Sequence, residues 1–232
     1  MDVPSGRKFD ADDQNLLKLM ARVKFIRYSE EPFRLKSGID SFVYVVGRED
    51  LTDHPDVEFE VGKKIASIVW QNARNEKKPI LIGIPTAGNA LAQAGAMASH
   101  LCTSPQGPLI GHRIMRELRK QHGAHSTWIN GAPNLNDHEY WMIDNVATDG
   151  RTKLEAADKL EVDGYPAREM PCLIWIDRQQ GAVAKLEAEG FNRIIVAYNL
   201  LDITYAYGEL NLWPKSVVAA VEDEIRAHQF AV

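Results

Sequence analysis

Hydrophobic positions in this chain fall into two alternating patterns. Leu16, Leu17, Leu19, Met20, Val23 and Ile26 recur at a spacing of three to four after the polar stretch DADDQ, which predicts an amphipathic helix over 15–26. SFVYVV, bounded by Gly38 and Gly47, is β-branched and aromatic and predicts a strand. A helix over 57–76 follows, then a short apolar strand from Ile80 to Ile84, a Pro-Gly turn and a helix of small residues. GPLIGHRIM (107–115) predicts another strand, and the long polar stretch after it, rich in Gly, Asn and His, predicts a loop of functional use. EYWMIDNV, CLIWIDR (172–178) and RIIVAYNL (193–200) predict three further strands, the first two each followed by a helix, GRTKLEAADKLEVDG and AVAKLEAEG.

Short apolar strands alternating with helices predict an α/β fold: a mainly parallel sheet with helices on both faces, preceded by a small N-terminal helix and strand forming a hood. With no internal repeat or long Gly/Ser linker, 232 residues read as one domain. In it, 1–50 supply the hood and 51–232 the core and C-terminal helix. Ligands of open parallel sheets bind at the carboxyl ends of the strands. Residues 84–88, 144–152 and 177–178 are therefore expected to meet in one cleft.

Composition narrows the functions. With 27 basic and 32 acidic side chains the net charge is −5, which gives no electrostatic case for a nucleic-acid partner. No apolar run is long enough for a membrane span and the N-terminal stretch has no apolar signal core, so neither a membrane partner nor export is expected and the location is read as cytoplasmic. Cys102 and Cys172 are far apart, have no zinc-ligand spacing, and are expected to be reduced core residues. No protein-held metal site is expected.

The turn Thr148-Asp149-Gly150-Arg151-Thr152 joins an apolar strand to a helix. Successive backbone N–H groups and two hydroxyls at a helix N-terminus, where the macrodipole favours negative charge, make a phosphate cradle. Gly150 permits a positive φ or close backbone approach. Neither G-x-x-x-x-G-K-[ST] nor G-x-G-x-x-G is present, so ATP-type and dinucleotide loops are excluded. Asp144 just upstream suits sugar hydroxyls or a metal-bound water, and a sugar phosphate fits the set. The competing reading is that Asp144 and Thr148 only cap the next helix.

MIDNVATDGRT resembles the phosphoribosyl-pyrophosphate (PRPP) motif of type I phosphoribosyltransferases. FRLKSGIDS, GIPTAGNALA, RELRKQHG and IDRQQGAVAKLEAEG, in this order, resemble the orotate phosphoribosyltransferases among them, over about Asn15 to Leu201. The resemblance implies joining orotate N1 to ribose C1 of PRPP, with release of pyrophosphate and Mg²⁺ bound through PRPP. It implies that Thr148, Asp149, Gly150, Arg151 and Thr152 hold the 5′-phosphate and that Asp144 and Asn145 face the ribose. Lys36 and Arg178 would frame the orotate, with Thr148 also near it. Arg116, Lys120 and His122 would act on the pyrophosphate from a closing loop that reaches the neighbouring subunit of a homodimer.

Three positions depart from the family: Asn145 where a second Asp is usual, Glu117 where a loop lysine is usual, and Ala87 where many bacterial members carry lysine. An amide instead of a carboxylate near a cationic transition state forfeits about 3 kcal/mol, roughly two decades in rate. Arg116, Arg119 and Arg151 are nearby positive charges that compensate for the loop. Three readings follow: an orotate phosphoribosyltransferase with an altered site, a transferase for another base, and a binder of PRPP or a nucleotide without turnover.

Overall fold

In the computed structural model, which describes residues 1–35, 38, 40–46, 49–74, 76–102, 107–119 and 127–228, the first helix stops earlier than its apolar spacing predicts. Helix α1 (Ala11–Arg22) opens on a capping box in which Asp10 and Asp13 each accept from the other's backbone N–H. Its last residue is Arg22, with Val23 as the cap, and Ile26, which extended the pattern, is buried as the first residue of strand β1 (Ile26–Arg34) instead. β1 pairs antiparallel with β2 (Asp40–Val45), the expected SFVYVV strand, so the hood is a helix plus a hairpin.

After α2 (Glu49–Thr52) and α3 (Pro55–Asn72) the chain enters the main sheet. Its strands are β3 (Lys78–Gly83), β4 (Gly111–Ile114), β5 (His138–Ala147), β6 (Cys172–Asp177) and β7 (Ile194–Asn199). They lie in the order β4-β3-β5-β6-β7, every pair parallel. Between them run α4 (Ala87–Leu101), α5 (Arg151–Val162), a 3₁₀ turn (Ala167–Glu169) and α6 (Ala182–Ala188). Helices α7 (Leu200–Glu209) and α8 (Lys215–His228) close the chain.

β6 is buried at every position, as a central strand covered on both faces must be. On one face Trp141, Ile143, Leu173 and Trp175 pack with α1, α3, α7, α8 and the hairpin. On the other, Tyr140, Met142, Cys172 and Ile174 meet Ala156, Ala157 and Leu160 of α5 and Leu186 of α6. The hood shares the first of these cores, because Phe25, Val43 and Val45 belong to it. The expected fold is thus present, with one strand, β1, beyond those predicted.

Candidate active site

Three turns converge at the carboxyl ends of β3, β5 and β6, as the sequence predicts. Ile84 N donates to Ile143 O at 2.9 Å, and Arg178 N donates to Ala147 O at 3.0 Å. A Cβ on Gly88 would lie 2.4 Å from Ile143 O, so only glycine lets the first turn of α4 rest on the end of β5. Ala87, one of the family departures, is the buried first residue of α4.

The turn after β5 leaves the start of α5 open. Thr148 and Asp149 are half-buried, and Arg151 and Thr152 are exposed. Gly150 is the N-cap with φ 75°, and no side chain there caps the helix. Asp149 Oδ1 accepts from Arg151 N at 3.2 Å, and Asp149 Oδ2 lies 3.5 Å from the Arg151 guanidinium. The helix-capping role considered for Asp144 and Thr148 is therefore not what either does: α5 has no side-chain cap, and Asp144 is engaged by Lys153 and Asn145 N. Gly150 is no loose turn residue: it is buried, and an added Cβ would lie 3.3 Å from both Ala182 O and Leu186 Cγ of α6.

Asp144 faces inward. Its Oδ2 lies 2.5 Å from Lys153 Nζ, its Oδ1 accepts from Asn145 N at 2.9 Å, and Lys153 also donates to Val146 O. The side chains are 8% and 3% exposed. Cys172 lies beside this pair, its thiol pushed up to about 12 mainly by burial. Asn145, on the next position of the strand, is partly buried. Lys153 is absent from the sequence-derived site. The signal was available, since a lysine stands in register with the buried stripe Ala156, Ala157 and Leu160.

Arg178, expected to frame the orotate, has its guanidinium engaged within the protein. It is 2% exposed; one terminal nitrogen donates to Val43 O at 2.9 Å, and the other donates to Ser41 Oγ at 2.7 Å and lies 3.5 Å from Glu224 Oε1. Glu224 on α8 in turn accepts from Ser41 Oγ at 2.5 Å and Phe42 N at 2.7 Å. The guanidinium thereby fastens hood, core and C-terminal helix, with its Nε buried and without a hydrogen-bond partner. Burial lowers the pKa of Arg178, against the opposing pull of Glu224.

Lys36, Lys120 and His122 lie outside the described residues. Arg116 sits at the neck of the loop: its N donates to Trp128 O at 2.8 Å and its side chain to Thr127 O at 3.3 Å. Asn89 of α4 holds Met115 through both backbone groups. Trp128 N and Ile129 N donate to Asp163 Oδ2 at 2.7 and 2.9 Å, and Ile129 is fully buried. The far side of the polar stretch after β4 is fixed in place by apolar burial and Asp163. Glu117 is exposed.

Cys102 is also not a core residue: it is half-buried beside a groove of about 820 Å³ between α1 and α3, away from the three turns. Among the described residues no three His, Cys, Asp or Glu side chains converge as metal ligands, and no helix is long and apolar enough to cross a membrane.

No family model matches the chain. It is 26% identical over 194 residues to an orotate phosphoribosyltransferase of Nostoc sp., covering 83% of this chain and 87% of that protein. An orotate phosphoribosyltransferase of Chlamydia felis is 28% identical over 169 residues, 73% of each chain. Among solved structures, UMP synthase of Leishmania donovani superposes with a TM-score of 0.72 at 22% identity over 95% of this chain, which spans 42% of that larger protein. The chain has the fold of the type I phosphoribosyltransferases. Orotate phosphoribosyltransferase of Francisella tularensis supports the same fold, with a TM-score of 0.67 and 17% identity over 92% of this chain and 98% of that one. In this phosphoribosyltransferase fold the turn after β5 is the segment that carries the PRPP-motif resemblance.

Proposed function

We propose that the chain transfers the phosphoribosyl group of PRPP to orotate, giving orotidine 5′-monophosphate and pyrophosphate. The observation that carries the proposal is the open α5 N-terminus behind Thr148 to Thr152, at the carboxyl end of a central parallel strand, in a chain similar along most of its length to orotate phosphoribosyltransferases. The bond from ribose C1 to the pyrophosphate oxygen breaks, the bond from C1 to orotate N1 forms as N1 gives up its proton to the departing pyrophosphate or solvent, and positive charge develops on the sugar between breaking and forming.

In this reading the 5′-phosphate rests on the amides and hydroxyls of Thr148, Asp149, Gly150 and Thr152, with Arg151 beside it. Asn145 meets the ribose hydroxyls, since an amide both donates and accepts. Asp144 acts from behind, through its pair with Lys153. Arg178 sets the wall of the base site by holding Ser41 and Val43 of the hood against the turn after β6. Lys36 is assigned to the orotate, and Arg116, Lys120 and His122 to the pyrophosphate side. Mg²⁺ bound through PRPP would offset the charge of the pyrophosphate; Asp144 and Asp149 are already engaged by Lys153 and Arg151, so the donor set suits an ion carried by substrate and not one held by the protein. A cytoplasmic homodimer, with the loop of one subunit serving the other, completes the proposal.

A second reading, binding of PRPP without turnover, is favoured by one observation: both positions of the acidic pair are electrically muted, Asp144 by Lys153 and the next by being Asn145. Pyrophosphate release from PRPP and Mg²⁺ in the presence of orotate, uracil or adenine separates these cases. Release with orotate alone supports the proposal, and release with another base moves the acceptor. PRPP binding without release from any of them leaves the binder.

A further inference from the structure

The ion pair behind the phosphate turn has a consequence for rate. Lys153 belongs to the first turn of α5, yet its ammonium points into the protein, against Asp144 Oδ2 and Val146 O. The other oxygen of Asp144 accepts from Asn145 N. An ammonium leaves water only where an opposite charge and hydrogen bonds offset its lost hydration, and this one has both.

The other carboxylates of the converging turns are engaged as well. Asp149 is held by Arg151. Asp177, at the end of β6, accepts from Gln179 N at 3.1 Å and its carboxyl is pushed above the usual range by burial. The thiol of Cys172, the remaining titratable group against the pair, stays protonated in neutral solution. In a ribosyl transfer the sugar carries positive charge at the transition state, and a carboxylate lowers that barrier only as far as its charge is not already cancelled.

We infer that Lys153 is a rate-setting positioning residue: it holds Asp144 in a neutral pair, so that, with Asn145, the ribose side of the turn carries no net negative charge. This rests on the reading of that turn as the phosphoribosyl site. The site is consequently tuned to hold an anionic substrate in the ground state at the cost of stabilising the cationic sugar. Binding and turnover pull in opposite directions here, because the charge that favours the transition state repels PRPP.

The test is steady-state kinetics of Lys153→Met with PRPP and orotate. Lysine and methionine have similar length, and the substitution leaves the Asp144 charge uncancelled. The expected result is a kcat raised about tenfold, with a KM for PRPP that also rises, as expected when the freed charge favours the transition state and repels the bound substrate. Lys153→Arg, which keeps the cation, is expected to return both toward wild type. A folded Lys153→Met with unchanged or lower kcat would overturn the inference.

Should that variant fail to fold, Lys153→Gln, which can still hydrogen-bond Val146 O but carries no charge, takes its place, with a kcat again expected about tenfold above wild type. A folded Lys153→Gln with unchanged or lower kcat would equally contradict the inference. Wild-type turnover is measured beside these. If it is absent with every base, the proposed reaction fails on its own; turnover gained by Lys153→Met would then still carry the inference, and its absence there too would end it.

Discussion

The turns after β5 and β6 are built on one plan and put to different uses. Each runs from a buried strand through an aspartate whose carboxylate accepts the backbone N–H two residues on, Asp149 to Arg151 at 3.2 Å and Asp177 to Gln179 at 3.1 Å. Each then reaches a left-handed glycine that starts a helix without a side-chain cap, Gly150 at φ 75° and Gly181 at φ 87°. After β5 the helix is 12 residues long and its first residues, Arg151 and Thr152, are exposed. After β6 the helix has seven residues, and Arg178 and Gln180 of the turn are buried. One turn leaves its first helical residues exposed; the other spends its Arg178 side chain inward, on the hood and α8. What separates the proposed anion site from a structural fastener is therefore not the glycine motif but where the flanking charges point.

The strongest way to break this contrast is to cut the fastener. Arg178→Ala leaves Glu224 buried without its cation, and removing one partner of a buried ion pair costs about 3 to 5 kcal/mol. Urea denaturation should show that loss for Arg178→Ala and a similar one for Glu224→Ala. A loss below about 1 kcal/mol, together with weaker binding of orotate than of uracil, would restore Arg178 as a free reader of the carboxylate.

Gly150 carries the next effect. Its φ of 75° strains any side chain, and a Cβ would press on Ala182 O and Leu186. Gly150→Ala is expected to cost about 1 to 3 kcal/mol of stability as well as phosphate affinity. Thermal melts that leave the variant at wild-type stability would mean that the turn tolerates another backbone conformation.

Arg151→Ala sharpens the comparison from the other side. Its exposed pair with Asp149 contributes about 0 to 1 kcal/mol, so stability should hardly change while affinity for ribose 5-phosphate falls. A variant with lowered stability and unchanged affinity would reverse the roles assigned to the two turns. The smallest effect concerns the thiols: a disulfide reagent near neutral pH should modify the half-buried Cys102 and reach Cys172, fully buried behind the turn, only on unfolding. Rapid reaction of both in the native state would contradict the closed packing of α5 on the sheet.

The main sheet was legible because parallel strands covered on both faces read as unbroken apolar runs, CLIWID above all. β1 was not legible. IRYSEEPFR is largely exposed, contains a proline and pairs irregularly between Tyr28 and Phe33, so it has neither the alternation nor the apolar run of a strand. The turn proposed to hold the phosphate was legible as a turn from Gly150 between an apolar strand and a helix. Lys153 was readable in principle, as a charge in register with a buried stripe. Glu224 was not: it lies 46 residues beyond Arg178 on another helix, and only the packing of α8 on the hairpin brings the two together.

The most direct test of the contrast is amide mapping by ¹⁵N NMR during titration with ribose 5-phosphate. The account expects shifts concentrated on Thr148, Asp149, Gly150, Arg151 and Thr152, with the amides of Gln179 to Ala182 nearly still. Shifts concentrated on the turn after β6, or none at either turn at saturating ligand, would contradict it.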